Sequence, residues 1–79
     1  MTYVYKSPIG KMTIQKSPKP GNYVLYIEKL ENLSTNSDSP ERLADLVYNF
    51  ALCIPDWDDF AGKITNVPQT LSQWERIPD

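Results

Sequence analysis

The chain has no histidine, a single cysteine and only three glycines among its 79 residues. Each scarcity closes off a class of chemistry. Without an imidazole, acid–base catalysis near neutral pH would fall to a carboxylate or lysine with a displaced pKa, and no residue pattern marks one. Tetrahedral zinc sites draw on several Cys or His ligands, which one Cys and no His cannot supply. Gly10, Gly21 and Gly62 are isolated from one another, so no glycine-rich phosphate loop exists. The chain is therefore expected to be non-enzymatic and to hold neither a metal nor a cofactor.

Cys53 has no second cysteine with which to form an intramolecular disulfide. At the end of an apolar stretch it is expected to be a small buried hydrophobe. There is no apolar run long enough to span a membrane and no signal-peptide core after Met1. A reducing cytoplasm is the expected setting, with no membrane partner. At this length, residues 1–79 are read as one domain with a small core.

The clearest element runs from Ser39 to Pro55, S-P-E-R-L-A-D-L-V-Y-N-F-A-L-C-I-P. Ser39 suits the N-cap and Pro40 the first helical position, where its missing N–H costs nothing. Asp38 with Glu41 offers a capping box one residue earlier. Leu43, Leu46, Val47, Phe50, Ala51 and Ile54 follow the i, i+3, i+4, i+7 spacing of one buried face. Pro55 is the expected stop.

Before the helix, Thr2–Lys6 and Lys11–Gln15 flank the turn Ser7-Pro8-Ile9-Gly10 and read as a hairpin. After the rigid K-S-P-K-P-G turn, Asn22–Leu30 is the strongest strand pattern. Tyr23, Leu25 and Ile27 alternate there with Val24, Tyr26 and Glu28. Glu31–Asp38 reads as a polar connection. Beyond Pro55, Asp56 is read as a helix cap and Gly62 as its stop, Lys63–Val67 as a short strand or an extended segment, and Gln69–Ile77 as a short helix. The expected fold is α+β: a three-stranded antiparallel β-meander covered by one amphipathic helix (β-β-β-α), with a short irregular or helical C-terminal extension.

Tyr3–Ile14, Y-V-Y-K-S-P-I-G-K-M-T-I, resembles the opening strand–turn–strand of O6-methylguanine-DNA methyltransferases. The resemblance covers about a dozen residues and implies a hairpin. That family's catalytic Pro-Cys-His-Arg sequence has no counterpart here, since Cys53 lies in L-C-I-P-D. No functional residue carries over, and alkyl transfer is not implied.

Charge is unevenly spread. Residues 1–29 carry five lysines against one glutamate, and residues 30–79 carry nine acids against three basic residues. Asp56-x-Asp58 begins like a calcium loop, but Phe60 and Ala61 break the ligand alternation. Asp56, Trp57, Asp58, Asp59, Phe60 and Trp74 together would make an acidic rim around an aromatic centre, the composition of a protein interface. The expected function is a small protein-binding module of inhibitor, immunity-protein, adaptor or subunit type, facing a partner with a basic surface; self-association is compatible with it. The alternative is a nucleic-acid-binding module in which Lys6, Lys11 and Lys16 contact phosphates and Tyr3 and Tyr5 stack on bases. A sequence pI near 4.9 weighs against that alternative.

Overall fold

The structure, a computed structural model, describes residues 2–30, 34–64 and 66–78. Five strands, β1 (Thr2–Ser7), β2 (Gly10–Lys16), β3 (Tyr23–Ile27), β4 (Ser34–Ser37) and β5 (Glu75–Ile77), form one antiparallel sheet in the order β4-β3-β2-β1-β5. Helix α1 (Pro40–Tyr48) lies on one face across β2, β3 and β4. A four-residue helix α2 (Pro55–Asp58) and a 3₁₀ turn (Leu71–Gln73) follow before β5.

The expected three-stranded meander under one long helix is therefore incorrect: the sheet has five strands and the helix is short. β4 (Ser34–Ser37) replaces half of the expected polar connection, and residues 31–33 of it lie outside the described residues. Its sequence, S-T-N-S, has no apolar alternation, so its pairing comes from the open edge of β3, where Leu25 faces Thr35 and Tyr26 faces Ser34. β5 pairs with β1, Val4 opposite Glu75 and Thr2 opposite Ile77. It lies where a short helix was expected, and only the 3₁₀ turn before it is helical. A three-residue strand pairing with the opposite end of the chain leaves no local periodicity to read. Of the extended segment expected over 63–67, residue 65 lies outside the described residues, and the others form no strand.

The β1–β2 connection is tight. Ser7 pairs with Gly10, and the Ser7 hydroxyl donates to the Gly10 carbonyl while accepting from Ile9 N–H. Gly10 has φ +126°, and a Cβ there would sit 2.8 Å from the Glu28 carbonyl oxygen. Only glycine fits this close passage of the β3 exit.

Helix α1 starts where the sequence places it. Ser39 is extended at φ −140°, and its Oγ accepts from Arg42 N–H at 3.4 Å, with Pro40 in the first turn. The Ser39 hydroxyl also donates to Glu41 Oε2 at 2.8 Å. That bond, then a backbone bond, holds the Glu41 carboxyl below its ordinary pKa.

The helix ends at Tyr48, well before Pro55. Ala51 N–H donates to the Leu46 carbonyl at 2.9 Å and Phe50 N–H to the Val47 carbonyl at 3.2 Å. This crossed pair is a Schellman cap, which places Phe50 at the left-handed position usually held by glycine. Phe50 has φ 53°, and three residues later Cys53 has φ 62°. Phe50 is kept there by its ring, which stacks on Trp57 at 4.9 Å and 18°. Cys53 is exposed, not the buried hydrophobe expected of a helical position.

The core draws Met12, Ile14, Leu25 and Ile27 from the sheet and Leu43, Ala44 and Val47 from α1. Leu52, Ile54, Trp57, Val67, Leu71 and Trp74 complete it. The C-terminal segment is thus a working part of the core, not an appendage.

The two left-handed residues differ in what their side chains contribute, which stability measurements will expose. Cys53→Gly relieves strain without losing a packed side chain and is expected to stabilise by about 0.5–1 kcal/mol. Phe50→Gly relieves similar strain but loses the ring stacked on Trp57, and is expected to destabilise by about 1–3 kcal/mol. Urea melts in which both variants gain stability would show that the Phe50 ring contributes nothing.

Candidate functional site

The acidic and aromatic residues near the C-terminus do not form one surface. Trp57 is fully buried and Trp74 is 3% exposed, so both belong to the core and neither is open to a partner on the folded surface. The Trp57 indole N–H donates to the Val47 carbonyl at 3.0 Å. Its ring also meets Tyr5 edge-on at 6.2 Å and Phe60 at 6.3 Å. Phe60 is half-buried against the same cluster.

Asp58 faces inward along the chain. Its Oδ1 accepts from Leu52 N–H at 3.2 Å and its Oδ2 from Cys53 N–H at 2.9 Å. The carboxylate clamps the strained α1–α2 loop from the last residue of α2. Asp56 and Asp59 remain exposed. Asp56 is not the helix cap, a position taken by Ile54. Among the described residues no three Cys, Asp or Glu side chains gather into a group that could hold a metal ion.

The lysine–tyrosine set is divided by the pleat. Tyr3 pairs with Ile14 and Tyr5 with Met12, so both tyrosines share the helix-covered face with these core residues. Burial pushes the Tyr5 phenol above its ordinary pKa, which keeps it a neutral packing ring. Lys6 and Lys11 are direct cross-strand partners on the opposite face. Lys16 pairs with Tyr23 at the far end of β2 and has the parity of the covered face. Lys6 and Lys11 therefore lie on the face opposite the two tyrosines, and only Lys16 shares theirs.

The opposite face of the sheet brings together residues that sequence reasoning did not select. Val4, Thr13 and Tyr26 form one row across β1, β2 and β3, and Gln15, Val24 and Asn36 a second across β2, β3 and β4. Val4 and Val24 are buried, yet neither belongs to the core cluster under the helix. Tyr26 is 41% exposed. Among the described residues no helix covers this face. Its charges lie at the margins, with Lys6, Lys11 and Glu28 at one end and Glu75 beside Val4. The signal for this surface was present in β3, where Val24, Tyr26 and Glu28 alternate with the core residues.

Two open depressions border this face. One of about 360 Å³ lies between Lys11, Thr13, Tyr26 and Glu28 on the open face. Another of about 520 Å³ lies beside Tyr26, Asn36 and the Ser17–Pro20 turn. Among the described residues no helix is long and apolar enough to cross a membrane. Comparison with known proteins finds no matching family model, no matching curated protein and no matching solved structure.

The two tryptophans provide a direct test of their environments. The Trp74 indole N–H is buried with no hydrogen-bond partner among the described residues. Trp57→Phe and Trp74→Phe remove similar volume, but only the first breaks a buried hydrogen bond. Trp57→Phe is expected to cost at least about 1 kcal/mol more than Trp74→Phe in a urea melt; equal costs would show that the bond to Val47 contributes nothing. By the same measurement Asp58→Ala is expected to cost about 1–3 kcal/mol, through two unsatisfied N–H groups. Asp59→Ala is expected to stay within about 0.5 kcal/mol of wild type.

Proposed function

We propose that this chain is a non-enzymatic protein-binding module that docks through the uncovered face of its sheet. One observation carries the reading: the centre of that face, Val4, Thr13, Gln15, Val24, Tyr26 and Asn36, has no charge, although 23% of the chain is charged. Protein interfaces are depleted of charge at the centre and keep it at the rim, and Lys6, Lys11, Glu28 and Glu75 hold rim positions here. The central tyrosine offers a large ring and a hydroxyl at low entropic cost, as interface anchors do.

The partner is a protein with an uncharged patch opposite Tyr26 and carboxylates opposite Lys6 and Lys11. Those two lysines stand directly across from each other on adjacent strands, an arrangement that is unfavourable in isolation and is relieved by an anionic neighbour. This surface replaces the acidic and aromatic one, whose tryptophans lie in the core.

A second reading has its own observation. Lys6, Lys11 and the exposed Tyr26 share one face, which is the pairing of cations and ring that single-stranded nucleic acid uses. The net charge of −2 favours the protein partner.

The test compares capture from nuclease-treated source lysate by wild type, Tyr26→Arg, the Lys6→Gln/Lys11→Gln double variant and the Asp56→Asn/Asp59→Asn double variant. Tyr26→Arg is expected to weaken binding of the captured protein by about tenfold or more. The lysine variant should slow association in a salt-dependent way, and the aspartate variant should bind as wild type does. Loss of the partner on nuclease treatment moves the nucleic-acid reading to first place. Equal retention of the captured protein by Tyr26→Arg overturns the protein-docking reading.

A further inference from the structure

On the helix side of the sheet, a cleft of about 410 Å³ is lined by Tyr3, Glu41, Thr70, Leu71, Ser72 and Arg76. We propose that it binds a small zwitterion, an α-amino acid with an apolar side chain, with Arg76 taking the carboxylate and Glu41 the ammonium group. The site is separate from the proposed docking face, because Arg76 pairs with Tyr3 and shares its parity, opposite to that of Val4 and Glu75.

Four segments converge on the cleft: β1, the first turn of α1, the 3₁₀ turn with its cap, and β5. Two of them bring opposite charges. Among the described residues Arg76 has no ion-pair partner, and Glu41 is engaged by the Ser39 hydroxyl and not by Arg76. A cation and an anion that line one cleft without pairing leave room for a molecule that carries both signs. A simple anion would meet Arg76 but be opposed by Glu41, and a simple cation would meet the reverse. The guanidinium presents a planar fork that matches a carboxylate with two parallel bonds.

The remaining walls set the class of side chain. Leu71 is buried and Tyr3 half-buried, and they give the cleft an apolar floor. Thr70 and Ser72 share a hydrogen bond of 2.8 Å in which either hydroxyl can donate, so one hydroxyl hydrogen stays available to a ligand. The volume is at the small end of ligand sites, which fits a single amino acid better than a peptide. Both charged groups are solvent-exposed, so the affinity is set by screened contacts and falls on the order of 1 mM.

Binding here also has a structural consequence. β5 is three residues long, exposed throughout, and paired to β1 alone. A ligand bridging Arg76 to Glu41 ties this strand to α1. Ligand that binds only the docked strand shifts the equilibrium towards docking.

The experiment titrates ¹⁵N-labelled protein with L-leucine, N-acetyl-L-leucine and L-leucinamide, the last two each lacking one charge. Leucine is expected to give saturable shifts at the Tyr3, Leu71 and Arg76 amides and to slow hydrogen exchange in β5. Each blocked ligand is expected to bind about two- to fivefold more weakly, in keeping with the loss of one exposed charged contact. Glu41→Gln should make leucine and N-acetyl-leucine equivalent, and Arg76→Gln should do the same for leucine and leucinamide. The absence of saturable shifts at tens of millimolar leucine overturns the proposal. So does equal affinity for all three ligands in wild type, or shifts confined to Thr13 and Tyr26 on the other face.

Discussion

Trp57 is the constraint on which the rest of the structure depends. Its indole is fully buried, and its N–H is satisfied by the carbonyl of Val47, ten residues earlier and in the last turn of α1. For the ring to reach that carbonyl, the chain must leave the helix and double back within a few residues. The Schellman cap at Leu46–Ala51, the left-handed Phe50 and Cys53, and the Asp58 clamp on Leu52 and Cys53 are the means by which it does so. A buried indole removes about 150–250 Å² from water. At roughly 25 cal/mol per Å² that gain is of the same size as the cost of two strained residues at about 1–3 kcal/mol each, and the stacked ring of Phe50 adds to it.

That turn decides which surface is left for function. Tyr3, Tyr5, Phe50, Phe60 and Trp74 all pack in or against the cluster that Trp57 joins, so the aromatic bulk is concentrated on the helix side of the sheet. The other side is left with one large exposed ring on β3, Tyr26, set among hydroxyls, amides and two valines. In a chain of 79 residues one layer of helix covers one face of a five-stranded sheet. Among the described residues no second helical layer packs on the other face.

The parts of this arrangement that were legible in the sequence are those set by short-range chemistry. Ser39 and Pro40 announce the helix start because capping and the proline φ angle act within one turn. The alternation in β3 separates Leu25 and Ile27 from Val24 and Tyr26 because pleating acts between neighbours. The same parity already placed Tyr3 and Tyr5 apart from Lys6, so the split of that set was available to a stricter reading. The helix end was not legible: Phe50, Ala51 and Ile54 continue the helical spacing and are diverted by a contact with Trp57. β4 and β5 were hidden for a related reason. Their residues have little intrinsic preference for extended structure, and they pair because the meander leaves an unsatisfied backbone edge on each side. The open face and the zwitterion cleft inherit both kinds of signal. The β3 half of the face is readable locally, whereas the cleft needs β5 to be placed.

β5 therefore links features that are far apart in the chain. Its Glu75 lies at the rim of the open face beside Val4, and its Arg76 points the other way, towards Glu41 and the 3₁₀ turn. Side chains of neighbouring residues in a strand take opposite faces, so one short strand contributes to two surfaces at once. It is also the shortest strand of the sheet, and its three residues are exposed and pair on one side only. Segments with few buried contacts open at the lowest free energy. A ligand in the proposed cleft would hold the strand whose Glu75 borders the open face, so any coupling between the two proposed surfaces would run through the docking of β5.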